Sequence, residues 1–308
     1  MTKKLLGVGI VTLDIINHVE HYPAEDEALR ATRSRRARGG NAANTLAVLG
    51  GVLGVKTCLV STLAPGPDAN FVLHDLHACH VDTSHCRMYP GCSLPTSYIT
   101  LNDANGSRTI VHWRDLPELT AATDVVSHID LDDYDWVHFE GRNVEQTTIM
   151  MAWIHAYNEK HINKRPPIKI SLEVERAKLV NYESLLVYAD VVFFSKEFAE
   201  SRECSSALEL LELMRLKNEK RSALICGWGE KGACALDEAD NVFNCPAFEP
   251  VKVVDTIGAG DTFVAGVIHA MRSGKPLDKA LRFGCRLAGA KCGIEGFRIE
   301  HFDASFDA

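Results

Sequence analysis

Short apolar runs alternate with longer amphipathic stretches along most of this chain. The runs stand at 5–11, 57–61, 136–140, 169–173, 191–195 and 223–227, and their nearly continuous apolar character predicts strands covered on both faces. Between them, apolar positions recur at helical spacing over 41–53, 70–77, 145–158, 206–218, 262–272 and 277–291. Strands and helices in alternation predict βαβ units, and hence an α/β fold. Its sheet is expected to be mostly parallel, with ligands bound at the carboxyl ends of the strands. Two stretches leave this rhythm. Residues 15–38 alternate loosely with period two and turn polar in their second half. Residues 93–114 read as a hairpin, with strands at 96–101 and 107–113 around a turn at 102–106 that contains Asn105-Gly106. Together, over about 12–38 and 93–114, they predict a small antiparallel sheet standing off the main body as a lid. No repeat or low-complexity tract divides the chain, so one domain is expected over 1–308.

Composition narrows the function classes. A net charge of −8 argues against a nucleic-acid partner. Arg30, Arg33, Arg35, Arg36 and Arg38 then read as a solvated strand edge whose charge discourages edge-to-edge pairing. The ten cysteines contain no Cys-x-x-Cys pair, and several stand in apolar contexts, as expected of reduced thiols in a cytoplasmic protein. Lys3-Lys4 and the apolar run after them look superficially like a signal peptide, but Asp14 arrives early and no small-residue cleavage site follows. No apolar run is long enough to span a membrane, so no membrane partner is expected. His74, His77, His80 and His85, interleaved with Cys79 and Cys86, match no standard zinc spacing, and no metal ligands are assigned.

The densest chemistry lies at 253–266. A β-type run enters the tight turn Gly258-Ala259-Gly260 and leaves through Asp261 into an apolar helical pattern. Free backbone N–H groups and the positive end of a helix dipole make such a turn an anion site. A carboxylate there either caps the helix or takes a proton from a hydroxyl that attacks a bound phosphate. Near the other end, Gly39-Gly40 lets the backbone approach a ligand closely, and Asn41 and Asn44 share a helix face with amides suited to a polyol. The plainer reading makes Asn41 an N-cap and leaves Asn44 solvated. Asp14 follows a buried strand, either as a ligand-site residue or as a turn residue. Arg108 in the hairpin offers a planar fork for phosphate. Gly229, Glu230, Lys231 and Gly232 follow another strand as a candidate nucleotide loop, although no P-loop sequence occurs anywhere.

Taken together, these residues resemble the ribokinase-type (phosphofructokinase-B) carbohydrate kinases. Gly39-Gly40-Asn41-x-x-Asn44 is similar to the family's N-terminal signature, and Asp255-Thr256-x-Gly258-Ala259-Gly260-Asp261 to its C-terminal one. Within the family, segments such as Glu140-Gly141-Arg142-Asn143 and Ser171-Leu172-Glu173-Val174-Glu175 resemble members that act on a ketohexose. The resemblance implies a three-layer α/β/α sandwich with a β-sheet lid, and a homodimer in which two lids clasp. It implies transfer of the ATP γ-phosphoryl group, with Mg²⁺, to a primary hydroxyl of a ketohexose, D-fructose first among them. Asp14, Gly40, Asn41, Asn44 and Asp261 would hold the sugar, with Asp261 as base and Gly258, Ala259 and Gly260 as anion hole. Arg108, Gly229, Glu230, Lys231, Gly232, Gly258, Ala259 and Gly260 would hold ATP, with Cys292 near its adenine. An ordinary Asp is already ionised at pH 7, so Asp261 needs no shifted pKa for this role. A requirement for K⁺ stays open. The family's Asn-x-x-Glu motif, tied to magnesium, would fall at Ser195 to Phe198, where neither residue is present. Glu173, Glu175 and Glu197 are the substitutes the sequence offers. Other acceptors (ribose, a modified hexose, adenosine) are the alternative within the family. A non-catalytic sensor of sugar and nucleotide is expected to lack Asp261 or its turn, and both are present.

Overall fold

Nine strands form the main sheet among the described residues, in the spatial order Val242–Cys245, Ala233–Leu236, Ala223–Gly227, Val191–Phe194, Lys169–Val174, Tyr134–Glu140, Lys4–Val8, Thr57–Val60 and Val81–Asp82. The structure is a computed structural model and describes residues 3–250 and 252–306. All neighbours from Ala223–Gly227 to Val81–Asp82 pair in parallel. Only the pairings of the first two strands, which the apolar pattern did not reveal, are antiparallel. Ala233–Leu236 is built mostly of small residues and Val242–Cys245 buries only Cys245, so neither stands out as an apolar run.

The alternation of strand side chains splits the core into two layers. Leu5, Leu59 and Phe193 face one side with the helices Asn41–Gly51, Ala259–Arg272 and Leu277–Cys292. Leu6, Val60 and Val192 face the other with Val144–Lys160 and Ala207–Arg215. The result is the α/β/α layering that the pattern implies.

The second sheet has the order Arg33–Gly39, Thr12–Val19, Thr96–Asn102, Arg108–Trp113. It is drawn from the two stretches that broke the rhythm. It differs from expectation in one respect: Thr12–Val19 and Thr96–Asn102 pair in parallel, because two separate excursions of the chain enter it in the same direction. The outer pairs are antiparallel. Two short joints tie this sheet to the main body. Residues 9–11 connect Lys4–Val8 to Thr12–Val19, and Gly40 connects Arg33–Gly39 to the helix Asn41–Gly51. Gly40 sits at φ 98°, and a Cβ there would lie 2.2 Å from the Ile10 carbonyl oxygen, so the joints pack against each other and only glycine fits. No helix among the described residues is long and apolar enough to cross a membrane.

Candidate active site

Gly258 adopts the left-handed conformation (φ 78°, ψ 10°) that caps the helix Ala259–Arg272, three residues earlier than the apolar pattern suggests. A Cβ on Gly258 would meet Cζ of Phe297 at 2.2 Å. The Ala259 N–H closes the turn on Thr256 O at 3.2 Å, and the helical ladder starts with Thr262 N–H donating to Gly258 O at 3.0 Å. The amides of Gly260 and Asp261 therefore come ahead of the ladder, at the positive end of the dipole. A Cβ built on Gly260 meets nothing within 4 Å, so this side of the turn is open.

The turn is held from behind by a residue that sequence reasoning assigned no role. The Asp255 carboxylate accepts from the amides of Ile257 (2.9 Å) and Gly296 (3.2 Å) and from Arg35 (3.0 Å). The ammonium of Lys291, a wholly buried side chain, lies 3.2 Å from that carboxylate and donates to the Asp255 carbonyl at 2.7 Å. Burial favours the neutral acid, but Lys291, the two amides and Arg35 outweigh it and hold the Asp255 pKa below its ordinary value. The Cys292 carbonyl accepts from the amides of Val254 (2.8 Å) and Asp255 (3.3 Å), which places half-buried Cys292 at the foot of the same turn.

This corrects the reading of the arginine run. Arg33 and Arg36 are exposed and pair with Glu295 and Asp68. Arg35 turns inward to Asp255. Arg38 is 4% exposed, donates to Asp75 at 2.8 Å and to Asn44 Oδ1, and stacks over Phe297. Two of the five arginines of the supposed solvated edge are structural.

Asp261 is buried. Its carboxylate accepts from Asn44 Nδ2 at 2.7 Å, and its carbonyl from Thr45 Oγ1 at 3.3 Å. Its pKa is pushed up to about 8, first by burial and next by the charge of Glu175, while Asn44 opposes the rise. Asn41 and Asn44 share a helix face but serve different acids, since Asn41 Nδ2 donates to Glu173 (3.1 Å) and Glu175 (2.7 Å). Glu173 rises well above the ordinary range through burial and then through Asp261, Glu175 and Glu140. Glu175 rises through burial, opposed by Asn41. Glu140, by contrast, is tied to Arg142 (2.8 Å) and to the Ile10 amide (3.0 Å).

Among the described residues no three His, Cys, Asp or Glu side chains converge as a metal cage. A patch of mutually repelling carboxylates beside an anion turn nevertheless suits Mg²⁺, which keeps most of its waters and binds through nucleotide phosphates and one or two carboxylates. Ser195 and Phe198 take structural roles. Ser195 caps the short helix Lys196–Glu200 and donates to Glu175 O at 2.8 Å, and Phe198 is core. Glu197 is exposed and adds to the field on Glu175.

Asp14 lies on the second sheet, buried, with Thr12 Oγ1 donating to it at 2.9 Å. Burial raises its pKa, and bonds from Thr12 and Ser97 and the charges of Arg38 and Arg35 oppose the rise. The polar line Asp261–Asn44–Arg38 thus runs from the phosphate turn toward Asp14. A cavity of about 260 Å³ touches Asp14, Arg38 and Phe297 but not Asp261. Arg108 is exposed on the hairpin, and its charge reaches Glu175. Gly229, Glu230 and Lys231 form one 3₁₀ turn closed by Gly232, whose carbonyl accepts from Trp228 N–H at 2.7 Å, and Glu230 pairs with Lys196 at 3.5 Å. That loop leaves the carboxyl end of Ala223–Gly227, two strands along from the strand that carries Glu173. The structure therefore brings Asn44 into direct contact with Asp261, ties Asn41 to the neighbouring Glu173 and Glu175, and puts Arg108 and the 229–232 loop around the same edge of the sheet.

The description "pfkB family carbohydrate kinase" matches residues 2–300 of this chain. The chain belongs to that family. Ketohexokinase of Mus musculus is 38% identical over 296 residues, covering 96% of this chain and 98% of that protein. Among solved structures, the Arabidopsis thaliana ribokinase complexed with ribose and ATP superposes with a TM-score of 0.79 at 21% identity, covering 96% of this chain and 94% of that one. The Cryptococcus neoformans var. grubii ribokinase in complex with ADP gives a TM-score of 0.76 at 20% identity, covering 96% of each. The fold is that of the ribokinases, and the chain is a carbohydrate kinase of the pfkB family.

Proposed function

We propose that this carbohydrate kinase transfers the γ-phosphoryl group of ATP to the primary hydroxyl of a ketohexose, converting D-fructose to D-fructose 1-phosphate. One observation carries the reading: Asp261 stands at the mouth of an open helix N-terminus and is joined through Asn44 and Arg38 to the sheet that bears Asp14. The likeness to the mouse ketohexokinase supports the ketohexose. Asp14, Gly40, Asn41 and Asn44 hold the sugar, and Asp261 takes the proton of the attacking hydroxyl. The new O–P bond forms in line as the bond from the γ-phosphorus to the β–γ bridging oxygen breaks and ADP departs. The amides around Gly258, Ala259 and Gly260, with Arg108, balance the charge that spreads over the transferring group. Gly229, Glu230, Lys231 and Gly232 line the nucleotide, and Cys292 stands near the adenine. Bound with ATP, Mg²⁺ would neutralise phosphate charge, and Glu173, Glu175 and Glu197 are the acids that would hold it.

The second sheet acts as the lid that excludes water, which would otherwise accept the phosphoryl group. Two lids clasp in a homodimer. Exposed Tyr98, Val111 and Trp113 support this, because register puts them on the face opposite Asp14. Free thiols throughout the described residues fit a cytoplasmic setting. A second reading, a pentose or nucleoside acceptor, is favoured by weaker likenesses such as the Bacillus subtilis ribokinase at 24% identity. ADP release on a panel of D-fructose, D-ribose, other hexoses and adenosine separates the two, with NMR locating the phosphorylated carbon. The ketohexose reading fails if D-ribose or adenosine is used with higher kcat/KM than D-fructose.

A further inference from the structure

The second sheet carries a row of side chains that neither signature contains. Asp14, Ser97 and His112 are direct register partners on three neighbouring strands. Paired residues project on the same side of a sheet, so all three share one face. Ser97 Oγ lies 3.2 Å from Nδ1 of His112, and the Ser97 hydroxyl is among the groups that favour the charged form of Asp14. A serine has one proton to donate. If that proton is directed to Asp14, Nδ1–H of His112 is the donor in its contact with Ser97 Oγ. Burial, then the charges of Arg142, Arg176 and Arg114, hold the His112 pKa below the ordinary imidazole value, with Glu140 opposing. A neutral imidazole protonated at Nδ1 presents Nε2 as a bare acceptor.

The position of His112 gives that acceptor a use. His112 is exposed, and the charged groups acting on it other than Arg114 come from the main body: Glu140 at the end of Tyr134–Glu140, Arg142 just after it, and Arg176 after Lys169–Val174. The imidazole therefore stands over the gap between the sheets, on the same face as Asp14. Neighbouring strands lie about 4.8 Å apart, so the backbones of Asp14 and His112 are separated by roughly 10 Å, with only Ser97 between them. A ligand touching both must span the width of one strand.

We infer that Ser97 and His112 are specificity-determining residues of the acceptor site, and that the row Asp14–Ser97–His112 selects polyols long enough to give one hydroxyl to Asp14 and another to His112 Nε2. This rests on the reading of Asp14 as a sugar-binding residue. A hexose reaches both ends of the row more readily than a pentose, so the row favours the longer acceptor.

The test is steady-state kinetics of the full chain at saturating ATP and Mg²⁺, with D-fructose and D-ribose as acceptors, for the parent, Ser97→Ala, His112→Phe and His112→Gln. Loss of one such hydrogen bond should raise KM for D-fructose about tenfold in Ser97→Ala and His112→Phe. KM for D-ribose, KM for ATP and kcat should each move by no more than roughly twofold, as expected for lost acceptor binding alone. His112→Gln, whose amide keeps a donor and an acceptor, should retain most of the parent's D-fructose affinity. The inference is overturned if D-fructose KM is unmoved in both Ser97→Ala and His112→Phe. It is overturned equally if ATP KM and the unfolding temperature shift together with it, which marks a merely structural role. A parent protein that phosphorylates no polyol would instead bring down the reading of Asp14, and this inference with it.

Discussion

Asp261 is a base whose surroundings work against its charge. Burial and the Glu175 carboxylate raise its pKa to about 8, so in the ligand-free protein near neutral pH it is largely protonated. The raised value strengthens it as a proton acceptor at the moment the sugar hydroxyl becomes acidic. Asp261→Asn, which keeps the bond to Asn44 within reach but cannot take a proton, should lower kcat by roughly 10²–10⁴ with ATP affinity nearly intact. Turnover at the parent's rate would remove Asp261 from the role. A second outcome follows from sign. Removing the neighbouring negative charge in Glu175→Gln eases ionisation of Asp261, so the acid limb of the kcat/KM profile for the sugar should move to lower pH. A limb that stays in place, or moves upward, would show that another group titrates there. The motif made the carboxylate's position legible in the sequence. Its environment was not, because Glu140, Glu173 and Glu175 reach it from strands more than eighty residues away, and no local pattern marks that convergence.

At the scale of elements, the decisive unit is the turn and the parts that brace it. Asp255 ties the 255–258 segment to the end of helix Leu277–Cys292 through Lys291 and to the second sheet through Arg35. Lys291→Met strips a wholly buried cation from its partner and should cost about 3 kcal/mol of stability in urea unfolding, with KM for ATP rising as the turn loosens. Unchanged stability would mean that Arg35 and the two amides suffice. The pH sense is set by the lowered pKa of Asp255: its contribution is present above the ordinary carboxylate range and is lost as pH falls through the folded value. Most helices and parallel strands were legible from period and run length. The start of helix Ala259–Arg272 was not, since Gly-Ala-Gly reads as a turn until a left-handed Gly258 turns it into a cap. The inward-facing Arg35 and Arg38 were hidden for a related reason. Which residues of a polar strand face inward depends on what the fold sets against them, and Asp75 and Asp255 come from distant segments.

At the scale of the whole molecule, the second sheet has two unlike faces. The row Asp14–Ser97–His112 looks into the gap between the sheets, while Tyr98, Val111 and Trp113 expose apolar surface on the opposite side. The dimer proposed from that surface should appear in light scattering as twice the chain mass of 33.9 kDa. Val111→Asp, placing a charge at its centre, should weaken association by about tenfold or more. A chain that is monomeric at every concentration would end that proposal. The sheet itself was foreshadowed by the loose period-two alternation at 15–38 and the hairpin at 93–114. The parallel pairing at the sheet's centre was not, because strand direction depends on how the chain enters the sheet.

The bracing of the phosphate turn also sets an order in time. Its supports come from Arg35 and Asn44 near the start of the chain and from Lys291, Gly296 and Phe297 near the end of the described residues. Synthesis proceeds from the N-terminus, and contacts across so long a separation form only after the later partner has left the ribosome. A nascent chain therefore has its strands and the sugar-side helix in hand well before it can hold a nucleotide. A chain cut after Gly293 keeps both core helices but loses Gly296 and Phe297, and it should fold yet bind ATP more weakly in a calorimetric titration.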